Sequence, residues 1–445
     1  MTPAPPARPS RSAASLPIAA LLVTVAAPAC HRDIHLLPLA DADGGARTGV
    51  GGAGVGGAAG IGGAAGDSGV AAADGGGITC AGGLGPPIML PTATGMVCAS
   101  TLEQRGHLFG LCTCQDLILG SQLRTDAFDS TDPHFNDDQM SSAVGIDGAL
   151  SIDANGPNLR AGGAVYVAGT AGVYAAGSLE AGASFRSNGP LTMLSANASF
   201  QSDAFVNGLI SGQVQIDGTL RVPQTADVGP QVQANSVVTE AVSVSAPCDC
   251  NGGFVDLLGA INTAAGSNND TAAGLDPNSF GKVLISRTLD LSCGTYYLSS
   301  LQASAPVTLA VHGRALLVVQ GDVNVQGGDL AVSLDAGAEL DLVVGGWLLV
   351  SGGGTIGAPA APARFRMWVA GTDAQSVVFN GQPTIAAVIH APTTTVSATN
   401  GLTISGSLLT QSLFLGGTSQ SYVHYDRAIL KAGAACGEMP ASVIP

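Results

Sequence analysis

Lysine is nearly missing from this chain. Only Lys282 and Lys431 supply it, and Lys+Arg number 16 against Asp+Glu 32. A net charge of −16 excludes nucleic acid as a partner, because phosphate recognition needs cationic patches. It also disfavours anionic membrane surfaces. Aromatics at 4% and charged residues at 11% leave little with which to build a groove for sugar rings or an acid–base site. No apolar run is long enough to span a bilayer. There is no H-E-x-x-H and no G-x-S-x-G nucleophile elbow, and five of the seven histidines (His107, His134, His312, His390, His424) are scattered along the chain.

What is abundant is glycine, 63 of 445 residues, and it falls in a pattern. From Gly313 to Ser351, short alternating runs such as Leu330/Val332/Leu334, Leu340/Leu342/Val344 and Leu348/Val350 are broken by glycines. Period-two alternation means strands with one buried face. Strands this short and this regularly punctuated predict an all-β chain, a β-solenoid or β-helix whose coils stack on one another. A weaker repeat with Val165/Val167, Val214/Ile216 and Leu220/Val222 precedes it, so the solenoid is expected in two segments.

The N-terminus has the form of an export signal. Arg8 and Arg11 give the positive end, Leu16 to Ala27 the apolar region, and Ala27-Pro28-Ala29 the small-residue cleavage site. Cys30 follows at once, where a bacterial lipoprotein carries its lipid. The chain has nine cysteines. With Cys30 lipidated, the even set Cys80, Cys98, Cys112, Cys114, Cys248, Cys250, Cys293 and Cys436 remains for disulfides in an oxidising compartment. Zinc would need the two Cys-x-Cys pairs to act together, and structural zinc more often uses C-x2-C.

The domain reading follows. Residues 1–29 are the lipoprotein-type signal peptide. Residues 30–79 are a disordered Gly/Ala-rich tether, where Gly49-Val50-Gly51-Gly52-Ala53-Gly54 matches G-x-G-x-x-G only by chance. Residues 80–125 form a Cys-rich cap on the first coil, and 126–247 the first solenoid segment. Residues 248–282 are a connector in which FVDLLGAINTAA fits a short helix. Residues 283–432 are the second segment, and 433–445 a tail.

From about Cys98 to Cys436 the chain resembles an expanded family of secreted myxobacterial lipoproteins. The resemblance rests on LCTCQDL at Leu111, LRTDAFDS at Leu123, NNDTAAGLDP at Asn268 and LDLSCGTYYL at Leu289. It continues through GRALLVVQGDV at Gly313, GAELDLVVGG at Gly337, VIHAP at Val388 and VHYDRAIL at Val423. Ser292 stands where the family has proline, and His390 where it has tyrosine. The C-terminal half is also similar to a domain of unknown function in pilus-assembly-type proteins, and the short rungs resemble those of bactofilins. The resemblance implies a β-helical fold, a periplasmic, secreted or surface location and no assigned catalytic residue.

Three clusters could carry chemistry. Asp126, Asp129, Asp132, Asp137 and Asp138 offer the oxygens a calcium ion takes, although the glycine of an EF-hand turn is missing. A solvated acidic loop is the simpler reading, so no cofactor is required. Glu339 and Asp341 alternate with Leu340 and Leu342 and should share the outer, solvent face of a strand, and such a pair could act on a glycosidic bond. In His424-Tyr425-Asp426, His424 and Asp426 could pair on one side of a strand that ends and caps the last coil. Asn268, Asn269 and Asp270 read as turn formers.

Two functions follow. The first is a non-enzymatic cell-envelope protein, lipid-anchored in the outer membrane, with a structural, adhesive or recognition role towards a surface glycan or protein. The second is a polysaccharide lyase or hydrolase on a β-helix, which three carboxylates converging in one cleft would favour.

Overall fold

The computed structural model describes residues 80, 83–132, 142–153, 158–250, 255–371 and 377–437. Cys30, Asp137, Asp138 and His134 lie outside them. The described chain is a parallel β-solenoid of about 13 turns. Each turn has three faces. In the first, Arg287–Leu291 forms face 1, Gly294–Leu298 face 2 and Leu301–Ala303 face 3. The next turn repeats them with Val307–Val311, Arg314–Val319 and Val323–Gln326 in register above. Thr384–Ala398 and Thr403–Leu415 each run over all three faces without a break.

The alternation read from sequence fills the interior. Leu289, Leu309 and Val332 stack on face 1, Leu317, Leu342 and Met367 on face 2, and Leu301, Val323, Leu348 and Val377 on face 3. Each such side chain contributes about 1.5–3 kcal/mol by leaving water. Corners are made by glycine and aspartate. Gly406 sits at φ 134°, where an added Cβ would lie 2.0 Å from the Ala387 carbonyl oxygen. Asp116, Asp203, Asp322 and Asp329 each accept a backbone N–H from the corner of an adjacent turn (2.7–2.9 Å). Part of the chain's acidity is therefore spent on satisfying backbone donors that the corners leave unpaired.

The order of the stack is not the order of the chain. Ser421–Asp426 lies on face 1, and its far edge is taken by Leu123–Phe128. Leu111–Thr113 pairs with residues 408–410 on face 2, and Leu117–Leu119 with residues 413–415 on face 3. The later segment ends on face 1 and the earlier one begins on face 2, so one helical path continues through a seam built from both. This corrects two expectations. Residues 111–125 are not a cap, and His424–Asp426 does not close the last coil; both lie inside the stack. Joined this way, two open lumens and two rows of unpaired strand edge cover each other.

The chain must then return from the end of the earlier segment to the start of the later one. It does so along the outside of face 2, with Val242 and Val244 buried. Disulfides Cys112–Cys248 and Cys114–Cys250 clip it to the seam. Helix α2 (Leu257–Gly266), N-capped by Asp256, then packs Ile261 and Ala264 on Leu316, Val318 and Val343. The hairpin Met89–Thr92/Gly95–Cys98 and helix α1 (Ala99–Gly106) complete this cover, tied down by Cys80–Cys293 and Cys98–Cys436. The sequence reading, which allowed only one helix, missed α1 and the 3-10 helix Arg427–Cys436 packed against it.

Candidate functional site

The outward positions of face 2 in the later segment are apolar or charged, and they are buried. On Glu339–Val344, residues Leu340, Leu342 and Val344 point into the lumen while Glu339, Asp341 and Val343 point out, towards α1 and α2. Asp341 is flanked in register by Leu316 and Arg366. The Arg366 guanidinium donates twice to Asp341 (Nε 2.8 Å, Nη2 2.7 Å), once to Glu339 (2.8 Å) and once to Glu103 of α1 (3.1 Å). Trp368 Nε1 donates to Asp341 (2.6 Å), and Arg314 Nε to Glu339 (3.3 Å). Glu103 and Asp341 are 0% exposed, Arg366 2% and Glu339 8%.

Glu339 and Asp341 therefore share the outer face of their strand, but that face is not solvent. α1 covers it. Burial raises the Glu103 carboxyl well above the ordinary range, against the pull of Arg366. Burial acts the same way on Glu339, but Arg366 and Arg314 outweigh it and hold that group below its usual value. Burial opposes the charge on Arg366, and Asp341 and Glu339 more than restore it. Beside this cluster lies a second buried polar group. His390 sits 4.8 Å from the Trp368 ring and 5.6 Å from His107. His107 Nδ1 shares a hydrogen bond with Ser407, and the Tyr425 hydroxyl donates to the His107 carbonyl (2.9 Å). Burial lowers both imidazoles, His390 to about 4.

Three carboxylates do converge, but on Arg366 and beneath a helix. The adjoining cleft, about 300 Å³, reaches only Glu339 and Arg366 of this cluster and is walled by Ala360, Ala363, Ala428, Arg364 and Lys431. Chemically, the arrangement is suited to holding α1 against face 2. Sequence reasoning missed Glu103 and Arg366. The available signal was the strand FRMWV, a charge inside an apolar run with no alternation, which marks a strand covered on both sides.

The other candidates are dispersed. Asp126 pairs with His424, and Asp129 with Lys431 Nζ (3.0 Å). Asp126, Asp129 and Asp132 form no metal-ligand group among the described residues. His424 and Asp426 do not pair: Asp426 accepts from Ser130 (N–H and hydroxyl), Ala363 and Ala428, fixing three segments at the seam. Cys112, Cys114, Cys248 and Cys250 are spent in disulfides, which removes the zinc reading. Asn269 and Asp270 close the stack's first turn, accepting the N–H groups of Thr295 and Tyr297 on its free face-2 edge.

Residues 254–432 match the model of a domain of unknown function, DUF7305. It takes in α2 and the later segment up to the 3-10 helix, with Glu339, Asp341 and Arg366 but not Glu103. No curated protein and no solved structure matches the chain.

Proposed function

We propose that the chain is a non-enzymatic cell-envelope protein, anchored through a lipid on Cys30 in the outer membrane, whose solenoid displays its faces for adhesion or recognition. One observation carries this reading: the three carboxylates that converge on Arg366, Glu103, Glu339 and Asp341, are bonded to it beneath α1, with Glu103 and Asp341 fully buried and only Glu339 reaching the cleft. Two further features support it. The four disulfides suit an oxidising compartment outside the cytoplasm, and no described helix is long and apolar enough to cross a membrane. The competing reading is a lyase or hydrolase using the cleft at Glu339.

The test is to incubate the purified full chain with neutral and acidic polysaccharides and assay new reducing ends and unsaturated products. No product is expected. Product formation that Glu339→Gln abolishes would establish the competing reading. In cells, Cys30→Ser should move the protein from the membrane to the soluble fraction; unchanged fractionation would remove the anchor.

A further inference from the structure

Among the described residues face 3 carries no covering element, and its outward column can be read rung by rung from the pairing register. Across eleven rungs the column is Gln302, Asn324, Leu349, Val378, Ser397, Phe414, Ile118, Ser151, Tyr174, Thr192 and Ser211. None of these residues is buried and none is charged. In a chain of net charge −16, an uncharged stripe of this length stands apart.

The aromatics deepen the contrast. Among the described residues, the exposed large aromatics are Tyr174 (55%), Trp347 (41%) and Phe414 (41%). Tyr174 and Phe414 belong to this column, and Trp347 stands at the corner that leads into Leu348–Ser351, on the rung of Leu349. Their rungs are evenly spaced: three steps lead from Trp347 to Phe414 and three more from Phe414 to Tyr174. At about 4.8 Å per rung, that is an aromatic roughly every 14 Å along the stack. Between them lie Val378 and Ser397, then Ile118 and Ser151; the amides of Asn324 and Gln302 follow beyond Trp347, and Thr192 and Ser211 beyond Tyr174. The spacing crosses the seam, so the two segments supply one continuous surface.

We propose that face 3 is a binding surface for an extended, uncharged polysaccharide lying along the stack axis. Aromatic faces take the apolar side of sugar rings, and Ser, Thr, Asn and Gln bond their hydroxyls. The absence of charge in the column favours this partner over an ionic one, since an anionic polymer is repelled by the net charge and a cationic one finds no carboxylate there. The proposal rests on the recognition role given above and names its partner and site.

The test is affinity electrophoresis of the full chain in native gels cast with hydroxyethyl cellulose, laminarin or dextran, with pectate as the acidic comparison. Retardation is expected in at least one neutral gel and should persist in high salt. Tyr174→Ala, Trp347→Ala and Phe414→Ala should each weaken it about tenfold, as for an aromatic anchor, and the triple variant should abolish it. Met96→Ala, which removes an equally exposed apolar side chain on the N-terminal hairpin, should change nothing. An unchanged melting temperature certifies the fold of each variant.

Four outcomes overturn the proposal: no retardation of the wild type, retention by the triple variant, salt-sensitive retardation in pectate alone, or self-association without glycan binding that the triple variant disperses. Glycan cleavage in the retarding gel would instead overturn the non-enzymatic reading, and it would support face 3 as the substrate surface provided the triple variant abolishes retention.

Discussion

The later segment, 287–426, and the earlier one, 111–239, continue one helical path yet are built differently on face 2. In the later segment that face is covered, and its strands lose their alternation: Arg314–Val319, Glu339–Val344 and Phe365–Val369 are buried on both sides. Past the seam the cover thins to the returning segment around Val242 and Val244 and then ends. There Tyr166, Arg186, Phe205 and Arg221 stack in register as alternating rings and guanidiniums, with Arg186 4.5 Å from the Phe205 centroid. One half thus behaves like the interior of a globular domain, and the other like a stack whose side chains look after themselves. The boundaries of the DUF7305 domain follow the same division.

The sharpest way to break this comparison is at Arg366. Arg366→Met leaves buried Asp341 with only the Trp368 Nε1 donor and Glu339 with only Arg314, and the expected loss is about 3–5 kcal/mol in urea or thermal unfolding. Glu103→Gln keeps the side chain's shape and replaces a carboxyl whose charge burial already disfavours, and it should be milder. A loss below about 1 kcal/mol for Arg366→Met would mean that α1 is held by packing alone.

The clip at the seam comes next. Replacing Cys112 and Cys248 together with serine should cost about 2–4 kcal/mol, since the bond closes a long loop. The Cys114–Cys250 bond beside it will hold part of that. Limited proteolysis should then cut first in the returning segment near Val244, because the cover depends on the clip and the rungs do not. Cleavage elsewhere first would show that cover and rungs unfold as one.

Acid should separate the halves less strongly. Buried His107 and His390 have lowered pKa values, so the folded state binds fewer protons than the unfolded chain as pH falls below about 6.5, for His390 down to about 4. Their stabilisation is present above that window and is lost as pH falls through it. Glu103 acts in the opposite sense, because its raised pKa gives stability at low pH that is lost as pH rises. Glu339, held low, loses its contribution as pH falls. In a Glu103→Gln background the melting temperature should therefore fall from pH 6.5 to 4, and His390→Phe should flatten the slope. An unchanged slope would place the acid-sensitive groups elsewhere.

The solenoid was legible from Leu330/Val332/Leu334 and its neighbours because alternation and glycine corners are local. The seam was not, since Leu111 meets Leu408 only through a path that the order of the chain conceals. The alternation of Glu339 and Asp341 told which side of the strand they share. It could not tell what covers that side, because Glu103 comes from a helix of modest amphipathicity far away in sequence. The His424/Asp426 reading failed on the same ground: each found its partner across the seam, at Asp126 and Ser130.

The smallest expected effect tests the bare half. Arg160 and Glu180 are register partners on face 1 of the earlier segment, 3.3 Å apart, with side chains 64% and 46% exposed. The pair resembles the Arg366 contacts in chemistry and differs only in solvent. Water screens it, and holding two long side chains in one geometry offsets the gain. Arg160→Ala should change stability by no more than about 0.5 kcal/mol, within the range of an ordinary surface substitution. A loss above about 1 kcal/mol, measured beside Arg366→Met under one set of conditions, would mean that the charge ladders of the earlier segment hold its rungs together. The contrast between a covered half and a bare one would then describe exposure and not stability.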